Sequence, residues 1–183
     1  LNNFVRIISN IAFVSIWYAE LKNFAFLKSL LNICENSQRA IDLMVMERSL
    51  SELLLTRKAF EKKLDFDKYS INEVLFLLSI QFFEKLIDHN DFSNKLTQYL
   101  TNQLRQFTRS TAYPFNYFIG ALGSFGTGEM HYSSDIDLIV VVENIKKHKG
   151  IQDLFKKYLM EVQKYLSPFE VDFRLRPEGK SSQ

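Results

Sequence analysis

Residues 120–138, GALGSFGTGEMHYSSDIDL, carry the pattern that decides the fold of the C-terminal part of this chain. A hydrophobic run at 115–122 leads into a loop that is rich in glycine. Asp135 and Asp137 follow and open a second hydrophobic run at 136–142. A glycine-rich turn between two apolar runs, with Asp-x-Asp at the start of the second, predicts a strand, a loop and a strand around a site for metal-bound nucleotide phosphates.

The two aspartates are the clearest chemical signal in this stretch. Asp135 and Asp137 lie two residues apart, so both carboxylates point to the same face of a strand. Two neighbouring carboxylates repel each other, and each is costly to bury without a partner. A hard divalent cation relieves both penalties, and Mg²⁺ is commonly bound by one or two carboxylates together with water and substrate phosphates. The spacing therefore predicts a site for Mg²⁺, or for Mn²⁺, at the start of the second strand.

The loop before the aspartates supplies groups that suit a phosphate. Glycine allows the backbone to approach a ligand closely, and the backbone N–H groups of such a turn can hold phosphate oxygens. We therefore expect Gly123 and Ser124 to contact the nucleotide, with Ser124 adding a hydroxyl donor. A loop of this kind also suits any tight turn from a strand to a helix, so the phosphate interpretation depends on the aspartates as well.

A third element, FEVDFRLRP at 169–177, alternates apolar and charged residues as a strand does. Asp172, Arg174 and Arg176 fall on one face of that strand. If the strand pairs next to the one that Asp135 opens, Asp172 becomes a third carboxylate of the same site, which suits a two-metal arrangement. The two arginines would then hold a triphosphate or balance the acidic cluster.

These segments resemble the nucleotidyltransferase fold of the DNA polymerase beta superfamily, in which Gly-Ser, Asp-x-Asp and a later Asp follow in this order. The narrower resemblance is to the glutamine synthetase adenylyltransferase (glutamate–ammonia-ligase adenylyltransferase) family. Ser-Ser-Asp-Ile-Asp-Leu at 133–138 and Val-Asp-Phe-Arg-Leu-Arg-Pro-Glu-Gly at 171–179 look like its two signature segments. Two independent segments in the right order make this resemblance specific.

The resemblance implies a site and an activity. Catalytic and metal-binding roles fall on Asp135, Asp137 and Asp172, and nucleotide-binding roles on Gly123, Ser124, Arg174 and Arg176. The implied reaction is transfer of AMP from ATP to a tyrosine of glutamine synthetase, or removal of that AMP by phosphorolysis, with ATP and Mg²⁺ (or Mn²⁺) as cofactors. Glutamine synthetase is the implied partner, and the PII signal protein is an implied regulator.

An alternative function stays open at this point. The family usually carries two basic residues in the loop that here reads Gly123-Ser-Phe-Gly-Thr-Gly-Glu129, and both are missing. This departure favours a non-catalytic nucleotide- or partner-binding regulatory module of the same fold. A nucleotidyltransferase with another acceptor, such as a small alcohol or RNA, is a third possibility.

The first 110 residues contain neither Gly nor Pro, which favours helices. We predict helices near 3–31, 37–64, 71–88 and 92–109. Ser70 and Glu73 have the spacing of a capping box at the start of the third helix. After Pro114 the pattern becomes strand 115–122, strand 136–142, helix 150–166 and strand 169–176.

The predicted fold class is therefore α+β, with a mostly helical N-terminal part followed by a small mixed β-sheet flanked by helices. We predict a helical region at 1–91 and a nucleotidyltransferase core at 92–183 that is truncated at its C-terminal end.

Composition limits the partners and the compartment. The net charge of +2 is too small to predict binding to nucleic acid and counts against RNA as the acceptor. The apolar segment between Arg6 and Glu20 is shorter than the roughly 20 residues that span a bilayer. The one cysteine, Cys34, is consistent with a reducing compartment. We therefore expect a cytoplasmic protein that binds neither membrane nor nucleic acid.

Overall fold

The structure, a computed structural model, describes residues 2–111, 116–142 and 150–173. The chain divides into two compact units, Leu1–Phe92 and Ser93–Gln183. The described part of the first unit is helical, whereas that of the second combines helices with a three-stranded mixed sheet. The predicted α+β class is therefore confirmed.

The first unit is a group of helices packed around one central helix. Its helices are α1 Asn2–Ile8, α2 Val14–Leu21, α3 Phe24–Asn36, α4 Gln38–Met46, α5 Leu50–Leu55 and α6 Ile71–Phe83, with short 3₁₀ turns at Lys58–Phe60 and Phe66–Lys68. Helix α6 is apolar on all sides, and every residue from Val74 to Gln81 is buried. A helix with this pattern belongs in the centre of a packed unit, and α6 contacts α3, α4 and α5.

The predicted single helix at 3–31 is wrong, because the structure has α1, α2 and α3 in its place. Phe13 adopts the left-handed region with φ of 57°, which interrupts the chain before α2. Asn23 begins α3, since its side-chain oxygen accepts hydrogen bonds from the N–H groups of Ala25 and Phe26 at 3.0 and 3.3 Å. Side-chain capping thus separates helices here without glycine or proline.

The predicted helix at 37–64 is also divided, into α4, α5 and the 3₁₀ turn Lys58–Phe60. Arg57 precedes that turn with φ of 65°. A left-handed conformation costs a residue with a Cβ roughly 1–2 kcal/mol, so sequence preferences do not predict it at an arginine. The cation of Arg57 lies 4.6 Å from the centroid of the Phe26 ring and forms an ion pair with Glu20, and these contacts help to offset the cost.

The described helices do not include one that is both long and apolar enough to cross a membrane. The apolar N-terminal segment is divided between α1 and α2, and Trp17 of α2 is fully buried against Phe26, with ring centroids 5.6 Å apart.

The second unit follows the predicted alternation of helices and strands. Its elements are α7 His89–Ser110, whose first residues precede the unit, β1 Tyr117–Ala121, α8 Gly123–Thr127, β2 Ile136–Val142, α9 Ile151–Tyr165 and β3 Val171–Phe173. Strand β2 has the bounds predicted from the sequence. The strand order is β1-β2-β3, with β1 antiparallel and β3 parallel to β2.

The two faces of this sheet differ sharply in burial. Ile136, Leu138 and Val140 of β2 are buried on one face. Aromatic rings from α7, β1 and α9 meet on that side, with Tyr117 and Phe107 5.3 and 5.8 Å from Tyr158. Helices α7 and α9 therefore cover this face and form the core of the unit.

The opposite face, which we call the open face, carries the alternate residues of the strands. Pairing places Phe118 beside Val141 and Gly120 beside Ile139 in β1 and β2, and Asp137 beside Asp172 in β2 and β3. Phe118 and Val141 are 66% and 55% exposed. The open face is thus apolar at one end and acidic at the other. The residues that define it are Phe118, Gly120, Asp137, Ile139, Val141 and Asp172.

The capping box predicted at Ser70 is confirmed and gives a test of the helical unit. The Ser70 hydroxyl accepts from the N–H of Glu73 at 3.3 Å, and the Glu73 carboxylate accepts from the N–H of Ser70 at 2.7 Å. We expect Ser70→Ala to lower the free energy of unfolding by about 1 kcal/mol, because one N–H of the first turn loses its acceptor.

Ser49 provides a matched control for this measurement. It stands at the corresponding position before α5 and is exposed, but its side chain caps no N–H group. Urea denaturation followed by circular dichroism should find Ser49→Ala within about 0.5 kcal/mol of the unaltered chain. Equal losses for the two variants would contradict the capping account.

Candidate active site

The pairing of β3 with β2 brings two of the predicted carboxylates together. Asp137 and Asp172 are directly paired residues of adjacent parallel strands, so their side chains leave the sheet on the same face. The N–H of Ile136 donates to the carbonyl of Glu170 at 2.8 Å, which extends the pairing one residue beyond β3. We expect Asp172 to join the site only if its strand pairs next to that of Asp137. The pairing of Val171–Phe173 with β2 meets this condition.

Asp135 lies one residue before β2 and is exposed, whereas Asp137 is half-buried and Asp172 exposed. Across residues 2–111, 116–142 and 150–173, no group of three or more His, Cys, Asp or Glu side chains is arranged to hold a metal ion. The structure thus pairs Asp137 with Asp172 but does not gather Asp135 with them into a closed three-carboxylate cluster.

Gly123 begins α8 and lies directly against the acidic pair. Its φ is +53°, and a Cβ at this position would lie 2.2 Å from Oδ2 of Asp137. Both the conformation and the space therefore require glycine here. The N–H of Leu122 donates to the carbonyl of Asp137 at 2.9 Å, so the glycine-rich loop is fixed to the strand that carries the carboxylate.

Ser124 is turned toward the interior of the loop. Its hydroxyl donates to the Met130 sulfur at 3.5 Å, and its carbonyl accepts from the N–H of Glu129 at 2.8 Å. Met130 is fully buried. The hydroxyl thus helps to hold the loop in this conformation, and contact with a phosphate stays a prediction.

A closed turn at 131–134 sets the direction in which β2 begins. The N–H of Ser134 donates to the carbonyl of His131 at 3.0 Å, and the Ser134 hydroxyl accepts from the N–H of His131 at 3.1 Å. Nδ1 of His131 accepts a hydrogen bond from the N–H of Ser133 at 3.3 Å. These hydrogen bonds place His131 in that turn.

Gln163 is a positioning residue that sequence reasoning missed. Its amide group donates to the carbonyl of Phe169 at 3.0 Å and accepts from the N–H of Val171 at 2.9 Å. One side chain of α9 thereby fixes the backbone that leads into β3, one residue before Asp172. In the sequence, Gln163 is one of several polar residues on a predicted helix. Nothing there distinguishes it from a glutamine that faces solvent.

Arg174 and Arg176 lie outside the described residues, so their predicted contacts with phosphate stay predictions. A cavity of 380 Å³ borders α7 and β1, and its lining residues include Arg105, Arg109 and Phe118, so Phe118 borders both this cavity and the open face. None of the three aspartates lines this cavity. The acidic pair is therefore part of the open face rather than of the α7 cavity.

Comparison with known proteins supports the interpretation of this geometry. Residues 101–182 match the family model described as the nucleotidyltransferase domain. The chain is 38% identical over 72 residues to the bifunctional glutamine synthetase adenylyltransferase/adenylyl-removing enzyme of Bartonella henselae. This match covers 33% of this chain and 7% of that protein. It is 36% identical over 77 residues to the protein of the same description from Bradyrhizobium sp. (strain BTAi1). This second match covers 36% of this chain and 8% of that protein.

These curated relatives are much longer than the region they share with this chain, which spans less than a tenth of their length. No solved structure is significantly similar to the chain. The predicted resemblance is nevertheless confirmed: residues 101–182 match the nucleotidyltransferase domain model, and the chain is similar to part of the bifunctional glutamine synthetase adenylyltransferases.

Proposed function

We propose that the second unit transfers AMP from ATP to a tyrosine hydroxyl of glutamine synthetase, or removes that AMP by phosphorolysis. The observation that carries the proposal is the direct pairing of Asp137 with Asp172, with Gly123 packed against the Asp137 carboxylate. The similarity to bifunctional adenylyltransferases supports AMP as the transferred group and glutamine synthetase as the partner. The same resemblance supports the PII signal protein as a regulator, and the single cysteine, Cys34, supports the cytoplasm as the compartment.

The donor set fits a hard divalent cation. Asp137 and Asp172 present carboxylate oxygens from paired positions on one face, and oxygen ligands are those that Mg²⁺ and Mn²⁺ prefer. Asp135 precedes Asp137 by two residues and is the expected third ligand. When bound, such an ion would neutralise charge on the transferring phosphoryl group and orient it.

The protein's own groups define where the nucleotide would lie. Gly123 leaves the space beside Asp137 without a side chain, so a phosphate can approach the backbone there. In the proposed reaction the tyrosine hydroxyl gives up its proton to solvent, its oxygen forms a bond to the α-phosphorus of ATP, the bond from that phosphorus to the bridging oxygen breaks, and pyrophosphate leaves. Positioning of the acceptor and the triphosphate relative to each other is the main contribution expected from the loop and the strands.

A second function is supported by two observations. The described residues do not assemble three metal-binding side chains, and the loop lacks the basic residues of the family. A regulatory module that binds nucleotide or a partner without catalysis is therefore the alternative. Calorimetry with ATP and Mg²⁺ that detects binding, together with no transfer by the unaltered protein, would favour this alternative.

Replacing either member of the acidic pair tests the proposed reaction. We expect Asp137→Asn and Asp172→Asn each to reduce transfer of α-labelled AMP to glutamine synthetase by on the order of 100-fold or more, because the divalent cation that would neutralise charge on the phosphate loses a carboxylate ligand. The measurement is incorporation of label from ATP into purified glutamine synthetase.

Asp153→Asn is the control, because Asp153 is an exposed carboxylate on α9 of the same unit. It should leave the transfer rate within about twofold, as surface substitutions usually have small effects. All three variants should unfold at similar temperatures. A rate for Asp137→Asn equal to that of the unaltered protein would refute the proposal.

Gly123 and Gly150 allow the clash with Asp137 to be separated from backbone strain. Both have positive φ, +53° and +82°, but a Cβ at Gly150 would have no atom within 4 Å. We expect Gly123→Ala and Gly150→Ala both to lose stability by roughly 1–2 kcal/mol. Only Gly123→Ala should also lose transfer activity, by on the order of 100-fold, since it displaces the Asp137 carboxylate.

Thermal unfolding and the labelled-AMP assay on the same preparations measure the two effects. If the two alanine variants lose the same small amount of activity, the approach of Gly123 to Asp137 has no catalytic importance.

A further inference from the structure

We propose that Phe118 is the platform on which the nucleobase of the bound nucleotide stacks, with Ile139 and Val141 completing an apolar surface for the nucleoside. This inference rests on the proposed function, because it takes the position of the phosphates from the acidic pair and Gly123. It adds the site for the other end of the same molecule.

The first support is the exposure of an aromatic ring on the face that carries the carboxylates. Phe118 is 66% exposed, and its paired residue Val141 is 55% exposed. The aromatic residue Tyr117, next in sequence, instead packs against Tyr158 on the covered face. The exposed ring is therefore not part of the core of the unit, and its loss should not disturb that core.

The second support is the direction in which the ring lies. A Cβ at Gly120 would lie 3.3 Å from Cε1 of Phe118 and 2.9 Å from Cγ2 of Ile139. Because Gly120 follows Phe118 by two residues on the same face, the ring extends along β1 toward the glycine-rich loop. The absence of a side chain at Gly120 leaves room for the ring edge beside Ile139.

The third support is the spacing between the apolar and acidic ends of the open face. Gly120 is paired with Ile139, and Asp137 is the next residue of β2 on the same face. Phe118 itself is paired with Val141, four residues from Asp137, but its ring reaches Gly120 beside Ile139. The ring edge is therefore about two residues, or about 7 Å, from Asp137 along the strand, which is the scale of one nucleoside. A nucleotide with its phosphates beside Asp137 and Gly123 would thus extend its base over the Phe118 ring.

The chemistry of this surface also selects the occupant. An aromatic ring offers a base a stacking partner whatever its hydrogen-bonding groups, so the platform provides affinity for the base with little selection among bases. The acidic end of the face disfavours an anionic group unless a cation is present. A metal-bound nucleoside triphosphate satisfies both ends at once.

Binding of two ligands by the full chain tests the platform. We expect Phe118→Ala to weaken binding of ATP with Mg²⁺ by roughly tenfold, in the range found when a stacked aromatic is removed. Binding of inorganic tripolyphosphate with Mg²⁺, which has no base, should stay within about twofold. Met160→Ala is the control, since Met160 is an apolar side chain of the same unit that is 72% exposed on α9.

Phe118→Trp supplies a second readout that does not depend on catalysis. The ring is retained, so ATP should bind with nearly unchanged affinity and quench the fluorescence of the new indole, whereas tripolyphosphate should not. The chain has one other tryptophan, Trp17, which is fully buried and provides a constant background.

The outcomes separate this inference from the proposed function. Equal weakening of ATP and tripolyphosphate by Phe118→Ala, unchanged ATP binding, or no binding of ATP by the unaltered chain would each overturn the platform. Loss of ATP affinity in Phe118→Ala, in a protein that transfers no AMP, would retain the platform and reject only the transfer. If the unaltered protein transfers AMP but its affinity for ATP does not depend on Phe118, the proposed transfer would be retained and the platform rejected.

Discussion

Parallel pairing of β2 with β3 is the interaction on which the candidate site depends. It places Asp137 and Asp172 side by side, an arrangement that two like charges oppose. The arrangement is maintained from the other side of the sheet, where Ile136 and Leu138 are completely buried. Shifting the register by one residue would turn these apolar side chains outward and the carboxylates inward. Hydrophobic burial on the covered face thus fixes the position of charge on the open face.

The glycine-rich loop is held in place by the same strand. Leu122 bonds to the backbone of Asp137, and Gly123 lies against its side chain. On the opposite side, Gln163 fixes the approach to β3 through two hydrogen bonds to the backbone. The glycine-rich loop beside Asp137 and the backbone that leads to Asp172 are therefore both positioned by hydrogen bonds within the chain. This rigidity is what a site needs when its contribution is to position reactants.

The elements that could be predicted from the sequence are those with a local signal. The hydrophobic run that Asp135 and Asp137 open predicted the bounds of β2, and the Ser70–Glu73 spacing predicted the capping box. The helix breaks near Phe13 and Arg57 could not be predicted, because neither residue favours positive φ. Alternation likewise puts Phe118 and Tyr117 on opposite faces without indicating which face the helices cover. The position of Gln163 depends on tertiary structure in the same way.

The distance in sequence between the two paired aspartates has a consequence for folding. Asp137 and Asp172 are 35 residues apart in the chain, and α9 lies between them. Closing a flexible loop of that length costs about 3 kcal/mol in chain entropy. A ligand that binds both carboxylates can do so only after this closure, so it acts as a noncovalent cross-link between β2 and β3. Occupancy would then slow the separation of the two strands and stabilise the second unit by an amount that grows with the logarithm of the ligand's concentration.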